Sequence, residues 1–321
     1  MHSVKKITVG VEMPETRPWN AANIAAPSRL AVRQAFGVAE AMGVAVTLVS
    51  VLPEISYGFF GSDEAVESQA ETDRTEAAAV LEDLKQQYSE KSSRPLEVTT
   101  TVAFGRPWFQ ILKAAGTARD NLILCGTRHK GAVSRLLFGS TGLKLLRNAV
   151  GPVWLVNPRI DDDADLDVLA ATDLTDVGED VLATAVALGQ ALPVRLNVLH
   201  VIDNEFDSQM AHTGVSAEEL AGYRQKAKSD GEDKLHEQLS ATDYRTVPLG
   251  VQTHIAEGPP DACILSAIEQ MDIDLLIMAT SGRGGIPGML FGNTAERLLP
   301  ELTCSLLAIK PDDFQCPISL D

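Results

Sequence analysis

Short apolar segments alternate with longer amphipathic ones along the whole chain. The short segments are rich in Val, Ile and Leu, and the segments between them carry apolar residues three and four positions apart, as at Leu30, Phe36, Val38 and Met42. This alternation is typical of repeated strand–helix units on a parallel sheet. It predicts strands at residues 7–11, 46–52, 96–102, 122–125, 153–156, 168–172, 196–202, 251–256, 275–278 and 305–309. Each half is therefore predicted to be a Rossmann-like α/β domain with a five-stranded parallel sheet.

The two halves are also similar to each other in sequence. The segment LLFGSTGLKLL around Gly139 recurs approximately as MLFGNTAERLL around Gly292, 153 positions later, and Gly105 and Gly258 are separated by the same interval. Such self-similarity indicates a duplicated structural unit. The Pro- and Asp-containing segment NPRIDDDADLD, residues 157–167, is typical of a linker. We expect domain 1 at residues 1–158 and domain 2 at residues 159–321.

Composition and charge exclude several classes of protein. Of 321 residues, 44 are acidic and 27 are Lys or Arg, and the formal net charge of −17 argues against direct binding to nucleic acid. The acidity is equally consistent with solubility or with adaptation to high salt. Without a long apolar run we expect no membrane span, and the first residues do not resemble a secretory signal, which favours the cytoplasm. The four cysteines lack CxxC spacing, and we expect them to be buried free thiols.

A glycine-containing loop follows the fourth predicted strand of each half. The segments are LILCGTRHKGAVSRLLFGST at residues 122–141 and LLIMATSGRGGIPGMLFGNT at residues 275–294. In a parallel α/β sheet, ligands bind beyond the carboxyl ends of the strands. Glycines let backbone N–H groups approach phosphate oxygens, and a helix start favours an anion. Ser140 and Asn293 are also residue types that cap helices, so capping alone is the alternative interpretation of both positions.

These loops resemble those of the universal stress proteins, whose nucleotide-binding members carry G-x2-G-x9-G-[S/T] after the fourth strand. The spacing recurs in both halves, and the closing segment GNTAERLLPELTCSLLAIKPDDFQCPISLD is similar to that of tandem-domain members. The resemblance spans nearly the whole chain. It implies a fold of the adenine nucleotide alpha hydrolase type and a site for ATP or another adenine nucleotide, with or without Mg.

The match to the family motif is better in the second half. His129 occupies the place of the second glycine in the first half, where a side chain obstructs a phosphate. Ala279 replaces only the first glycine in the second half. The resemblance implies a favoured site formed by Asp173, Val201, Gly258, Ala279, Gly282, Gly292, Asn293 and Thr294, and a degenerate one formed by Glu12, Gly126, His129, Gly139, Ser140 and Thr141.

The carboxylates at the ends of the first strands differ between the halves. The family places an aspartate there to contact the adenine or ribose region, and Asp173 matches it, whereas the first half has the longer Glu12. The first half also contains eleven additional residues, MPETRPWNAAN at 13–23, before its first helix. This insertion either reshapes the pocket of the first domain or is a tolerated surface loop. His200, near the end of a predicted strand, is a candidate ligand contact.

The sequence leaves three function classes open. Motifs of hydrolases, zinc proteases and P-loop enzymes are absent. The leading hypothesis is a stress-response module that binds ATP through its second domain. The alternatives are a non-enzymatic binder of a lipid-like or nucleotide-sugar ligand and a slow ATPase, for which no metal ligand or water-positioning group is identified.

The duplication also suggests how the halves assemble. Single-domain proteins that this chain resembles commonly dimerise through their last strands. We therefore expect the fifth strands of the two halves to pair within one chain, as an intramolecular pseudo-dimer, which covers two sheet edges. Association of two chains into a homodimer stays open.

Overall fold

The computed structural model describes residues 4–54, 63–127, 139–157, 165–203, 216–280 and 291–320. These residues form two compact units, one built mainly from the first half of the sequence and the other mainly from the second half. Each is an α/β unit in which strands and helices alternate, and all the strand pairs described within each unit are parallel. The α/β fold predicted from the alternating pattern is confirmed.

The first unit begins with a strand and alternates regularly from there. Its strands are β1 (Lys6–Gly10), β2 (Ala45–Leu52), β3 (Val98–Phe104), β4 (Asn121–Gly126) and β5 (Val153–Val156), and their order in the sheet is β3-β2-β1-β4-β5. The helices are α1 (Ala26–Met42), α2 (Asp63–Ser89), α3 (Pro107–Ala115) and α4 (Ser140–Asn148). A short 3-10 helix, Ala21–Asn23, precedes α1.

The second unit repeats this arrangement. Its strands are β6 (Leu166–Thr172), β7 (Val194–Ile202), β8 (Val251–Glu257), β9 (Leu275–Ala279) and β10 (Ser305–Ile309), in the order β8-β7-β6-β9-β10. The helices are α5 (Asp176–Ala191), α6 (Ala217–Ser240), α7 (Pro260–Gln270) and α8 (Asn293–Leu298). Two 3-10 helices, Tyr244–Thr246 and Leu299–Glu301, lie after α6 and α8.

Burial explains why the central strands have nearly continuous apolar sequences. All four residues of β5 and all five of β10 are buried, as are four of the five residues of β1 and of β9. A parallel strand with helices on both faces has no side exposed to water. The outermost strands of each order, β3 and β8, have mixed burial and contain more polar residues. Each hydrophobic core therefore lies on both faces of the sheet near its middle strands.

Local signals define where several helices begin and end. Gly43 ends α1 in the left-handed conformation, with φ +69°, and its N–H donates to the Ala39 carbonyl. Ser216 and Glu219 form a capping box at the start of α6, in which each side chain accepts a hydrogen bond from the other residue's backbone N–H. The backbone N–H and the hydroxyl of Ser216 both donate to the Glu219 carboxylate and lower the pKa of that group.

Candidate functional site

A cavity of about 430 Å³ lies at the carboxyl ends of β1 and β4 in the first domain. It is bordered by the ends of β1, β2 and β4 and by the starts of α3 and α4. Its lining includes five residues singled out from the sequence, Glu12, Gly126, Gly139, Ser140 and Thr141. His129 lies outside the described residues. The structure thus brings together the described members of the first predicted site.

The insertion of the first half contributes part of this cavity wall. Met13, Pro14 and Trp19 line the cavity. The guanidinium of Arg17 lies 4.3 Å from the centre of the Trp19 ring and pairs with Asp73 and Glu76 of α2. These contacts hold the inserted segment against α2, and the insertion therefore reshapes the pocket rather than forming only a surface loop.

Gly126 is required by packing against the start of α1. A Cβ atom at this position would lie 2.7 Å from the carbonyl carbon and from Cβ of Pro27, and 2.8 Å from the Ser28 nitrogen. Ser28 in turn accepts a hydrogen bond through its hydroxyl from the Glu12 backbone N–H, at 3.3 Å. Close packing thus explains why the first domain has glycine at this position. The equivalent residue of the second domain is Ala279.

The second domain has a smaller cavity, of about 150 Å³, in the corresponding place. Six of the residues predicted for the favoured site line it: Asp173, Val201, Ala279, Gly292, Asn293 and Thr294. Gly258, with φ +139°, is not among the lining residues, although Pro260 at the start of α7 is. Gly282 lies outside the described residues.

Asp173 is fixed by the turn between β6 and α5. Its Oδ1 accepts hydrogen bonds from the backbone N–H and the hydroxyl of Thr175, at 3.0 and 2.5 Å. Thr175 caps α5 by accepting a hydrogen bond from the Gly178 N–H. Leu174, between Asp173 and Thr175, has φ +59°. A β-carbon at Gly178 would lie 2.5 Å from the Thr172 hydroxyl oxygen. The turn is therefore closely packed and holds the carboxylate at the cavity wall.

Neither Ser140 nor Asn293 caps its helix. The N-cap positions are the preceding glycines, Gly139 and Gly292, and neither helix start has a side-chain capping hydrogen bond. The alternative interpretation, in which Ser140 and Asn293 only cap their helices, is therefore not supported. Because the chain enters both helices through glycine, both residues fall in the first helical turn, and both are among the residues that line the cavities.

Sequence reasoning missed Thr280, the residue that follows β9. It lines the cavity of the second domain and is 1% exposed. Among the described residues, its hydroxyl has no hydrogen-bond partner. The internal repeat contained a usable signal, because Thr280 lies 153 positions after Thr127, which lines the cavity of the first domain.

His200 contacts other residues of the protein and does not line the second cavity. Its Nδ1 lies 2.9 Å from the Thr172 carbonyl oxygen, and the ring is close to Gly231 of α6. It is 9% exposed and is not among the residues that line the second cavity. The prediction that His200 is a ligand contact is not supported by this arrangement.

Lys310 is a buried cation close to the second cavity. It is 6% exposed, and its Nζ lies 4.6 Å from the ring centre of Phe314 and 5.9 Å from that of Phe291, the residue before Gly292. Burial lowers the pKa of Lys310 to about 8. The aromatic rings partly compensate for the loss of hydration of the ammonium group.

The cysteines are free, and only one of them is fully buried. Cys304 is buried, whereas Cys125, Cys263 and Cys316 are partly exposed, which corrects the expectation that all four are buried. Cys125 lines the first cavity. Burial raises the pKa of the Cys263 thiol. In the part of the chain that the structure describes, no cluster of three or more His, Cys, Asp or Glu residues could hold a metal ion.

Two successive α/β domains, each with a cavity at the carboxyl ends of its first and fourth strands, define this chain as a tandem α/β protein with one candidate pocket per domain. The sequence model of the universal stress protein family matches residues 5–157 and 167–310. The chain therefore belongs to the universal stress protein family. No helix of the described ranges is both long enough and apolar enough to span a bilayer.

Several known proteins match this chain over most of their own length. Universal stress protein E of Escherichia coli K12 is 25% identical over 244 residues, which cover 71% of this chain and 72% of that protein. A candidate universal stress protein from Pseudomonas aeruginosa UCBPP-PA14 has a similar structure, with a TM-score of 0.65 and 21% identity over 97% of this chain and 95% of that one. A universal stress protein from Archaeoglobus fulgidus DSM 4304 gives a TM-score of 0.57 and 19% identity over 94% and 98%.

Gly126→Ala should destabilise the first domain. The added methyl group would overlap the backbone of Pro27 and Ser28, and such overpacking typically costs about 1–3 kcal/mol. Chemical denaturation of the variant measures the loss. Ala279→Gly is the matched control and should cost less than about 1 kcal/mol, because it removes only one methyl group. Equal stability of Gly126→Ala and wild type would contradict the close approach.

Lys310→Met should stabilise the protein at neutral pH. The pKa of Lys310 is about 8 in the folded chain and near 10.5 when unfolded, so burial of the charged form opposes folding most strongly below pH 8. Removing this charge should raise the free energy of unfolding by about 1–3 kcal/mol at pH 7. The advantage should shrink as the pH rises from 8 towards 10.5, and a denaturation series over this range measures it. A gain that is independent of pH would contradict the assignment.

Proposed function

We propose that the protein is a cytoplasmic stress-response module whose second domain binds ATP or another adenine nucleotide. The supporting observation is that Asp173, Thr280 and the first residues of α8 line one cavity at the carboxyl ends of β6 and β9. Asp173 is the carboxylate that the family motif places next to the adenosine part of a nucleotide. The polar residues Asn293 and Thr294 lie in the first turn of α8. The proposal concerns binding, not hydrolysis.

The size of the cavity limits how much of the nucleotide the described residues can surround. Pockets for ligands of this size usually measure about 300–1,000 Å³. The cavity of about 150 Å³ therefore accommodates only part of a nucleotide. Residues 281–290 follow Thr280 directly and carry Gly282, the second glycine of the family motif. We infer from the family motif that Gly282 adds phosphate contacts to those of the described residues.

Titration of ATP by calorimetry tests the site. Asp173→Ala should weaken binding about tenfold or more, because it removes a carboxylate that accepts from the ligand. Asp173→Asn keeps an oxygen for the Thr175 N–H and thus controls for damage to the turn. Glu12→Ala is the matched change in the first domain and should leave the affinity unchanged. Loss of binding in Glu12→Ala, with normal binding in Asp173→Ala, would assign the nucleotide to the first domain.

The first cavity supports a second candidate function, the binding of a lipid-like or nucleotide-sugar ligand. Its volume of about 430 Å³ suits a small organic molecule, and Met13, Pro14, Trp19, Leu52 and Ile111 give it largely apolar walls. A lipid-like ligand needs no phosphate contact at the position of His129.

Mass spectrometry of small molecules released from purified protein tests this second function. A lipid-like or sugar-nucleotide ligand should be recovered from wild type and reduced in Trp19→Ala, because the ring forms part of the wall. Trp108→Ala, a change of the same residue type on α3 outside the cavity lining, is the control and should retain the ligand. Release of adenine nucleotide alone would contradict this function.

A further inference from the structure

Thr280, the residue after β9, is held in the second domain by two backbone hydrogen bonds. Its backbone N–H donates to the Ile309 carbonyl of β10, at 3.2 Å, and its own carbonyl accepts the Gly292 N–H, at 2.8 Å. The residue is 1% exposed, and it belongs to the lining of the second cavity. Two backbone hydrogen bonds thus hold Thr280 between the end of β9 and the start of α8.

The first domain shows how the same threonine can satisfy its hydroxyl within the protein. Thr127 is the equivalent residue, and its N–H donates to the Val156 carbonyl at 2.9 Å. Its hydroxyl donates to the same carbonyl, at 3.0 Å. The corresponding acceptor for Thr280 is the Ile309 carbonyl, yet in the described part of the chain the Thr280 hydroxyl has no partner. The two threonines share a backbone position and differ in the use of their hydroxyl groups.

A buried hydroxyl without a partner is uncommon in native proteins, because water no longer compensates for the missing hydrogen bond. Thr280 is one of the residues that line the cavity, so a ligand group that reaches its hydroxyl can supply the partner. Asn293 and Thr294 line the same cavity and add an amide group and a second hydroxyl. All three side chains can donate hydrogen bonds. The ligand group that fits here is therefore rich in acceptor oxygens.

We propose that the Thr280 hydroxyl donates a hydrogen bond to a phosphoryl oxygen of the nucleotide bound in the second domain. This inference rests on the proposed function and adds a residue to the site. Donation to a charged oxygen gives a stronger hydrogen bond than donation to a neutral carbonyl. Thr127 makes no such contact in the first domain because its hydroxyl is bonded to Val156.

The matched variants Thr280→Val and Thr127→Val test the inference. Valine keeps the shape of threonine and removes only the hydroxyl function. Thr280→Val should weaken ATP binding about tenfold to a hundredfold, the range for a hydrogen bond to a charged group. It should change adenosine binding much less, because adenosine has no phosphate. Thr280→Ser, which keeps the hydroxyl, should restore most of the ATP affinity.

Thermal denaturation without ligand supplies an independent readout. Thr280→Val should leave the Tm unchanged or raised, since it removes a buried hydroxyl that has no partner in the described structure. Thr127→Val should lower the Tm by about 2–4 °C, because it removes a hydrogen bond to Val156, and should not alter ATP affinity.

The outcomes separate this inference from the proposed function. ATP binding that is lost in Asp173→Ala but unchanged in Thr280→Val overturns the role of Thr280 alone. A fall in Tm for Thr280→Val equal to that of Thr127→Val also overturns it, because the hydroxyl is then bonded within the protein. Equal losses for ATP and adenosine overturn the phosphoryl contact. Wild-type protein that does not bind ATP overturns both proposals.

Discussion

The parallel pairing of the first strand with both the second and the fourth strand of each domain determines where its pocket forms. In the first domain, Gly10 at the end of β1 pairs with Val49 of β2 on one side and with Cys125 of β4 on the other. In the second domain, Ala171 of β6 lies between Leu199 and Met278. The connections after such neighbouring strands leave towards opposite faces of the sheet, so a crevice opens at their carboxyl ends. Both cavities lie there, and the burial of these strands keeps their ends in place.

The two domains use this common framework for different pockets. An insertion anchored by Arg17 adds Trp19 to the wall of the first cavity, whereas the second cavity has no corresponding segment among its described lining residues. Their volumes of about 430 and 150 Å³ differ accordingly. Residues at equivalent positions of the two domains differ too. Close contact with α1 leaves no room for a side chain at Gly126, whereas the second domain has Ala279 at this position. We infer that the duplication preserved the fold while the ligand contacts diverged.

Much of the fold could be predicted because buried parallel strands have a strong apolar signal. The bounds of β5 and β10 agree with the prediction, and β3 extends from Val98 to Phe104 instead of beginning at residue 96. Pairing with β2 sets both ends of β3, since Val98 lies opposite Val46 and Phe104 lies opposite Leu52. Local composition contains no information about a pairing partner, and this explains why the predicted bounds of β3 differ from the observed ones.

The site was predictable only where a motif specifies a residue type. Asp173 was found in this way, whereas Asn293 was found by the spacing of the motif although its type departs from Ser or Thr, and both line the second cavity. The wall contributed by Trp19 and the buried hydroxyl of Thr280 depend on contacts between segments that are distant in sequence. The absence of capping by Ser140 and Asn293 depends on backbone angles at the preceding glycines. None of these features follows from residue type alone.

The most direct test of one nucleotide site per chain is native mass spectrometry with saturating ATP. Our account predicts one ATP per chain for the wild type and, at the lowest ATP concentration that saturates the wild type, a clearly lower occupancy for Asp173→Ala. Two ATP molecules on each wild-type chain, or equal occupancy of wild type and Asp173→Ala at that concentration, would contradict a site confined to the second domain.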